Sequence, residues 1–303
     1  EVVYLDDGRT RNYLNNDSST PLPYLVTSDQ GIKSLRAGDQ VDFQTDVVVD
    51  FSHNFWRFQP LEPITGKNAA DELPIAWQDS RAATLEVPAS VRGEYSIASF
   101  NVLNYFTTYG STADRGADNA TELQRQRTKM ANNLVTLNAD VLTLMEVQNN
   151  GDTALNDLVT SLNAAYGTDT YRAVQTGSIG TDAIKVAIIY KPGKVTPIGS
   201  AVVDGNTDGI YSRPPVAQTF QDKTTGGVFS VIANHLKSKG SCPKSGDVDL
   251  GQGCWNQLRV QQAQALLNFV GNVQRTSGDQ DVLLLGDFNA YGAEDPIKVL
   301  QGG

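Results

Sequence analysis

Side chains able to do acid–base or metal chemistry stand at the ends of four apolar segments of this chain. Asn101 ends Ser-Ile-Ala-Ser-Phe-Asn, Glu146 ends Val-Leu-Thr-Leu-Met-Glu, and His235 ends Val-Phe-Ser-Val-Ile-Ala-Asn-His. Asp287 and Asn289 follow Val-Leu-Leu-Leu-Gly. If the segments are strands that lie side by side, these side chains converge at one edge of a sheet.

This set of residue types is suited to the hydrolysis of a phosphate ester. The substrate is anionic, so attack by hydroxide needs the charge neutralisation that a hard divalent cation on Glu146 and Asn101 would supply. His235 can give a proton or a hydrogen bond to the phosphoryl oxygens. Asp287 can orient a water or a histidine, and Asn289 can hydrogen-bond the pentacoordinate phosphate. Taken singly, each also has an ordinary alternative, such as a turn-forming asparagine.

The elements that must hold these side chains are predicted from periodicity. Short apolar segments predict strands at residues 95–102, 140–147, 185–190, 216–220, 228–234 and 281–285. Apolar spacing of three and four predicts helices at 122–137, 152–166 and 255–273. Thr121 and Gln124 have the spacing of a capping box at the first helix. Strands that alternate with helices indicate a layered α/β domain.

Composition indicates a folded globular protein and limits how it could bind a polyanion. The chain has 303 residues, 40% of them hydrophobic, and a formal net charge of −10. This acidity argues against nonspecific nucleic-acid binding through lysine and arginine alone, and it fits a protein that reaches a phosphate through a cation. No apolar run approaches the roughly 18 residues that a membrane helix needs, so no membrane association is expected.

The region around the two cysteines predicts a disulfide and raises the question of a second metal. Cys242 and Cys254 lie in a polar, glycine-rich stretch, which favours a disulfide in an oxidising compartment over two free thiols. Between them, Asp247, Asp249 and Gly251 form a D-x-D-x-G run that could bind Ca²⁺. A solvated loop is the alternative, because Leu258 stands where an EF-hand has its bidentate glutamate.

The chain divides into three regions by composition. Residues 1–65 contain short β-like runs and are predicted to be a partial β-rich module. Residues 66–94 are rich in proline and lack apolar periodicity, which indicates a linker. Residues 95–303 carry the alternating strands and helices and are predicted to be the catalytic domain.

Several motifs resemble the endonuclease/exonuclease/phosphatase superfamily, and more closely its secreted bacterial ExeM-type extracellular nucleases. The first region, with Leu5-Asp-Asp-Gly and Leu35-Arg-Ala-Gly-Asp, is similar to the OB-like module of those proteins. The motifs of the catalytic region are Asn101-Val-Leu-Asn-Tyr-Phe, Leu-Met-Glu146-Val, Gly180-Thr-Asp-Ala-Ile, Ile-Ile-Tyr190-Lys-Pro, Ser-Arg213-Pro-Pro, Asn234-His-Leu-Lys-Ser-Lys and Gly286-Asp-Phe-Asn-Ala-Tyr.

The resemblance implies a four-layer α/β sandwich of the DNase I-like type that hydrolyses phosphodiester bonds in DNA, or alternatively RNA, with Mg²⁺ or Mn²⁺. It implies a secreted, extracellular bacterial protein with no obligate protein partner. Asn101 and Glu146 would hold the metal, and His235, Asp287 and Asn289 would be catalytic. Residues implied to contact the substrate are Asp182, Tyr190 and Arg213.

One departure from the superfamily pattern affects the expected activity. The pattern ends in an Asp-His pair that prepares the attacking water, and residues 290–303 contain no histidine. We therefore expect the natural protein to continue beyond Gly303, its last strands lying there, and this segment alone to cleave plasmid DNA poorly.

Two alternatives to a nuclease stay open at the level of sequence. One is another phosphodiesterase or phosphatase of the superfamily, acting on lipid head groups or inositol phosphates. The other is a nucleic-acid-binding scaffold with an incomplete site, in which Phe55, Trp56 and Phe58 stack on bases. Packing in a small core would explain those aromatics equally well.

Overall fold

The computed structural model describes residues 3–10, 21–28, 31–35, 39–78, 93–110, 115–205 and 209–302. The chain forms two compact units, Glu1–Arg92 and Gly93–Gly303. Within the described residues, no helix has the length and apolar character needed to cross a membrane.

The first unit is β-rich and, over the described residues, its strands form three small sheets. Their order is β1-β6-β5, β2-β3 and β4-β7. A closed OB-like barrel therefore stays a prediction. The strands are β1 Val3–Leu5, β2 Leu25–Ser28, β3 Gly31–Ser34, β4 Val41–Phe43, β5 Val47–Ser52, β6 Phe55–Pro60 and β7 Ile75–Trp77, with a 3-10 helix at Ala70–Glu72.

Part of the region interpreted as a linker belongs to the folded first unit. Leu73, Ile75 and Trp77 are buried and pack with Tyr24 and Ile64 in the core of this unit. Their spacing of two is that of one face of a strand, and β7 pairs with β4 through Ile75 and Phe43. The prolines around this short strand obscure its period in the sequence. The rest of the proposed linker, up to residue 92, lies outside the described residues.

The aromatic side chains of the hairpin β5–β6 lie on the surface of the first unit. Phe55 and Trp56 are 44% and 45% exposed. Phe55 contacts Tyr4 and Trp56 contacts Phe51, with ring centroids 4.9 and 5.1 Å apart. Burial in a small core therefore does not account for these two residues.

Over its described residues, the second unit contains two four-stranded sheets and four helices. One sheet has the order β10-β11-β9-β8, and the other has the order β12-β13-β14-β15. The strands are β8 Ile97–Tyr105, β9 Val141–Gln148, β10 Arg172–Ala173, β11 Ile184–Tyr190, β12 Val195–Val203, β13 Val216–Asp222, β14 Val228–His235 and β15 Val282–Asp287. The helices are α1 Ala120–Leu137, α2 Thr153–Tyr166, α3 Asn256–Ser277 and α4 Asp295–Leu300.

Over the described residues, the buried hydrophobic side chains of the second unit form three clusters, and together these define four layers. One cluster joins α1 and α2 to the outer face of the first sheet, for example Leu134 and Leu158 against Leu142. A second fills the space between the sheets. A third joins α3 to the second sheet through Leu266 and Ile232. The order helix, sheet, sheet, helix confirms the predicted four-layer α/β sandwich.

The start of α1 differs from the prediction. Asn119, and not Thr121, is the N-cap, because its side-chain oxygen accepts hydrogen bonds from the backbone N–H groups of Thr121 and Glu122 at 3.0 and 3.1 Å. Asparagine and threonine are both good caps, so the sequence offered two starting points two residues apart.

The cysteine loop is closed by the predicted disulfide between Cys242 and Cys254. The acidic run inside it has a structural role. The carboxylate of Asp247 accepts the N–H groups of Gln257 and Leu258 in the first turn of α3 at 3.0 and 2.9 Å. Asp249 accepts those of Gly251 and Gly253 at 2.8 and 2.9 Å. These bonds turn the two carboxylates toward the backbone, which is not the arrangement of a Ca²⁺ loop.

Candidate active site

The polar strand ends come from both sheets, not from one sheet edge as expected. β8 pairs with β9 in parallel, and β14 pairs with β15 in parallel with His235 opposite Asp287. Alternation along each strand then decides which face a side chain lies on. Ile97, Val231 and Leu285 lie in the cluster between the sheets. Asn101 and His235 stand four residues after Ile97 and Val231, and Asp287 stands two residues after Leu285. An even separation keeps a side chain on the same face of its strand, so these three side chains point into the space between the two sheets at its open end.

Glu146 reaches the same place through a β-bulge. Met145 lies between the sheets, and Val147 packs toward the helices with Leu144. Strict alternation would put residues 145 and 147 on the same face, so one residue between them is extra. That residue is Glu146, which has the left-handed backbone angle φ 67°. Such an angle is uncommon outside glycine, and here it aims the carboxylate at the strand end.

The end of β8 is also irregular, and it holds the carboxylate of Glu146. The pairing of β8 with β9 shifts register between Asn101 and Tyr105, and Leu103 and Asn104 have positive φ of 52° and 48°. The side-chain amide of Asn101 donates to Glu146 Oε1 at 2.9 Å, and the Asn104 N–H donates to Oε2 at 2.9 Å. Both oxygens are therefore fixed in position.

Asn101 and Glu146 are oxygen donors that fit a hard divalent cation. A carboxylate beside an amide suits Mg²⁺ or Mn²⁺, since such ions take few protein ligands and keep several waters. Within the described part of the chain, no group of three histidine, cysteine, aspartate or glutamate residues could hold a metal. A cation held by Asn101 and Glu146 would have to complete its shell with water and substrate oxygens.

Gly286 allows the two strands that carry His235 and Asp287 to meet. Its φ is +142°, and a Cβ at this position would stand 1.9 Å from the carbonyl oxygen of Asn234. Only glycine fits such an approach of two backbones. The result is a His235 Nε2 to Asp287 Oδ2 distance of 3.8 Å, longer than a hydrogen bond but close enough for electrostatic coupling.

His235 is buried and held neutral. Burial and, to a smaller extent, the positive charge of Arg213 lower its pKa from 6.5 to about 4, although Asp287, Glu146 and Asp182 act in the opposite direction. Its Nδ1 is buried without a hydrogen-bond partner in the part of the chain that the structure describes. At neutral pH the imidazole therefore carries one N–H and one free lone pair. An arriving phosphate would raise this pKa, because negative charge favours the imidazolium.

Arg213 and Asp182 form an ion pair next to the backbone of His235. Arg213 Nη1 donates to Asp182 Oδ2 at 2.8 Å, and its Nη2 donates to the carbonyl oxygen of Leu236 at 2.9 Å. Asp182 also pairs with Arg115. Burial raises the pKa of Asp182, but the hydrogen bond from Arg115 and the charge of Arg213 outweigh it, so the net pKa is lowered. Arg213 is 9% exposed, so its main role in this structure is to hold the backbone that follows His235 in place.

Asn289 closes the site from the second sheet. Its backbone N–H donates to Asp287 Oδ1 at 2.9 Å, and its side-chain amide donates to the carbonyl oxygen of Leu236 at 3.1 Å. Its positive φ of 48° turns the chain back over the strand end. Asn101, Asp287 and Asn289 line one cleft, together with Lys239 and Tyr291.

Unlike Asn101, Asp287 and Asn289, Tyr190 lies far from this cleft. β11 is antiparallel to β9, so Tyr190 lies opposite Val141 at the start of β9, while Ile184 lies opposite Gln148 near its end. Five residues along a strand place Glu146 roughly 16 Å away. The ring of Tyr190 packs on Phe220, with centroids 5.4 Å apart. The end of an antiparallel strand points away from the site, which the motif alone could not show.

Gln126 contributes to the site although sequence reasoning passed over it. From α1, its side-chain amide donates to the carbonyl oxygens of Val102 and Leu103 at 3.2 and 2.8 Å. It therefore ties the helix to the bulge that holds Glu146. No local pattern distinguishes this glutamine from its neighbours on the helix. Lys239 and Tyr291 were also missed, although they stand inside quoted motifs.

Comparison with known proteins agrees with this architecture. A family model described as the Endonuclease/Exonuclease/phosphatase family matches residues 98–303. Deoxyribonuclease-1 of Oryctolagus cuniculus is 28% identical over 214 residues, which are 68% of this chain and 65% of that protein. The chain thus spans just under two thirds of the length of this relative.

Solved structures with partial similarity include two catalytic proteins. The human Nocturnin catalytic domain, determined with a bound sulfate anion, has a TM-score of 0.48 and 18% identity, covering 69% of each chain. ANGEL2, described as a 2',3'-cyclic phosphatase, has a TM-score of 0.49 and 19% identity, covering 69% of this chain and 56% of that one.

The four-layer α/β sandwich brings polar and charged side chains together at the ends of its inner strands, and the family match gives this arrangement its class. The chain belongs to the endonuclease/exonuclease/phosphatase family, on a match that covers well over half of its length. Members of this family are hydrolases, nucleases and phosphatases among them.

Proposed function

We propose that this chain is the catalytic core of a divalent-metal-dependent nuclease that hydrolyses phosphodiester bonds in extracellular DNA. The observation that carries the proposal is that two sets of polar residues, one from each sheet, face the space between the sheets; we call these sets half-sites. Asn101 and Glu146 come from one sheet, and His235, Asp287 and Asn289 come from the other. The similarity to deoxyribonuclease-1 supports DNA as the substrate, with RNA as the alternative.

The two half-sites have complementary tasks in this proposal. Asn101 and Glu146 would hold Mg²⁺ or Mn²⁺, which when bound neutralises phosphate charge and polarises a phosphoryl oxygen. His235 donates a hydrogen bond to a phosphoryl oxygen and becomes a better proton donor as the anion approaches. Asp287 orients the imidazole or a water molecule, and Asn289 contacts the phosphate.

The disulfide supports an extracellular location. A bond between Cys242 and Cys254 persists in oxidising compartments and is uncommon in the reducing cytosol. The whole-chain charge of −10 is also consistent with the proposed use of a cation. A protein of this charge repels a polyanion at long range, so binding must rely on local cations.

Cleavage of supercoiled plasmid DNA tests the proposal. We expect the weak plasmid cleavage predicted for this chain to require Mg²⁺ or Mn²⁺ and to stop in EDTA. His235→Ala should lower kcat by roughly 10²- to 10⁴-fold, the usual contribution of an acid–base group, and Glu146→Gln should raise the metal concentration required. His53→Ala is the matched control, because the other histidine lies in the turn between β5 and β6. Full activity of His235→Ala would rule out the proposed site.

A nucleic-acid-binding scaffold is the second candidate, favoured by the exposed rings of Phe55 and Trp56. Such rings can stack on bases. Binding of single-stranded DNA with no release of nucleotides under any divalent metal, and loss of that binding in Phe55→Ala/Trp56→Ala, would favour the scaffold. Turnover of inositol phosphates or lipid phosphodiesters in place of DNA would favour a different substrate within the family.

A further inference from the structure

An exposed tyrosine stands at the rim of the candidate cleft. Tyr291 is 76% exposed, yet it lines the same cleft as Asn101, Asp287 and Asn289. It follows Asn289 by two residues, so its place is set by the same turn that closes the site. An aromatic ring left in water beside a polar cleft is available to a ligand with an apolar, flat surface.

The ring of Tyr291 is supported by a cation. Lys239 Nζ lies over the ring, 4.4 Å from its centroid, within the range of a cation–π contact. The same ammonium donates to Glu294 Oε1 at 2.5 Å. Glu294 Oε2 accepts the backbone N–H of Tyr291 at 3.1 Å. Lys239, Tyr291 and Glu294 therefore form a closed set of contacts that fixes the ring.

The lysine in turn is held by the disulfide loop. A Cβ on Gly253 would stand 2.5 Å from Lys239 Cδ, so the loop backbone lies directly against the lysine stem. Cys254, bonded to Cys242, follows immediately. The ring is thus supported from below by a lysine whose own stem is packed, while most of its surface stays open. A side chain ordered in advance loses little entropy when a ligand binds.

We propose that Tyr291 is a stacking site for the nucleobase of a nucleotide next to the scissile phosphate, which adds a preference for unpaired or frayed DNA. The inference rests on the proposed nuclease function. Its position at the cleft rim puts the ring within reach of a base whose phosphate lies between the two sheets. Every base has a flat π-face, so such a site tolerates any sequence, but the base must be free of its partner strand.

The first measurement is of binding alone. A single-stranded DNA octamer that carries 2-aminopurine is titrated with the protein in EDTA, and stacking on Tyr291 is expected to quench its fluorescence. Tyr291→Ala should lose the quenching and weaken binding by roughly 5- to 100-fold, the range for loss of one base–aromatic stack. Tyr291→Phe is the matched control and should bind as the wild type does. Equal quenching by Tyr291→Ala would overturn the proposal.

The second measurement identifies the partner of the ring. Octamers with an abasic site at successive positions are cleaved by wild-type protein and by Tyr291→Ala with Mg²⁺. At one position the abasic site should raise KM for the wild type and have little further effect on KM for the variant. The effects of removing the base and of removing the ring would then not be additive. Additive losses at every position would show that the ring does not contact a base. A wild-type protein that quenches 2-aminopurine but cleaves no DNA would instead contradict the nuclease proposal alone.

Discussion

The imidazole of His235 is surrounded by charges of both signs, and burial decides its protonation. It is 5% exposed, with its pKa lowered from 6.5 to about 4. A base whose folded pKa is depressed stays neutral in the native state while the unfolded chain takes up a proton. Stability from this group is therefore full above about pH 6.5 and is lost as pH falls toward 4.

We predict that His235 makes the native state acid-sensitive. The difference between 6.5 and about 4 corresponds to about 3 kcal/mol of unfolding free energy. Urea denaturation should show a lower unfolding free energy at pH 4 than at pH 7, and this difference should be smaller in His235→Asn. Proton NMR should give a titration below pH 5 for the histidine resonance that this variant removes. An identical pH dependence of the two proteins would refute the prediction.

Residue types alone led to Asn101, Asp287 and Asn289, which the fold brings to one cleft, and the reason is chemical. A carboxylate, a histidine or an aspartate directly after an apolar strand needs a partner or a function, so Glu146, His235 and Asp287 stand out in the sequence. Gln126 does not, because an amide on an amphipathic helix looks like any solvated residue. Its contact with the β8 bulge exists only after the helix packs on the sheet.

At the scale of elements, α1 positions the proposed metal ligands through Gln126. We predict that Gln126→Leu raises the Mn²⁺ concentration for half-maximal binding by roughly 10- to 100-fold, the usual cost of losing an outer partner of a ligand. Calorimetric titration of Mn²⁺ measures this directly. Gln124→Leu is the control, since Gln124 is an exposed residue of the same helix. Unchanged metal affinity in Gln126→Leu would remove the positioning role.

The contact between β14 and β15 leads to a second prediction at this scale. Gly286→Ala places a methyl group against Asn234 O, so the strands must separate and His235 must move relative to Asp287. We expect a loss of about 3 kcal/mol or more, measured by thermal unfolding. Gly292→Ala is the control, because a Cβ there meets nothing within 4 Å. A stable Gly286→Ala variant would mean that the strands tolerate a wider spacing.

Element positions were predictable where the pattern was long. The strands around residues 141–147 and 228–234 and the three long helices lie where the apolar periods put them. The short strand β7 was not predicted, because three residues near prolines are too few to show an alternation of apolar and polar side chains. The bulge at Glu146 was equally hidden, since alternation predicts faces only for regular strands.

At the scale of the whole molecule, the disulfide joins the loop of residues 242–254 to the start of α3. We predict that Cys242→Ser/Cys254→Ser lowers the unfolding free energy by about 3 kcal/mol, from the entropy that the short loop gains in the unfolded chain. Urea denaturation with and without dithiothreitol measures it, and the double variant should not respond to the reductant. Equal stability of oxidised and reduced wild type would contradict this.

The net charge of the whole molecule does not describe the charges at the site. The chain carries −10, but burial and the positive charge of Arg213 lower the pKa of both His235 and Lys237. Lys239 lines the cleft itself. Net charge thus describes the long-range field, and only the folded arrangement shows which charged side chains meet at the cleft.

The sequence by itself predicted a layered α/β domain, its long helices and the polar residues at its strand ends, because periodicity and residue chemistry are local properties, while the four layers were implied by the resemblance to a superfamily. Only the tertiary structure decided that these residues meet between two sheets, that Tyr190 lies at the far end of the first sheet, and that Gln126 and Tyr291 belong to the site. The physical reason is that strand direction, a one-residue bulge and helix packing are non-local. They depend on which segments pair, and a single segment does not encode its partner.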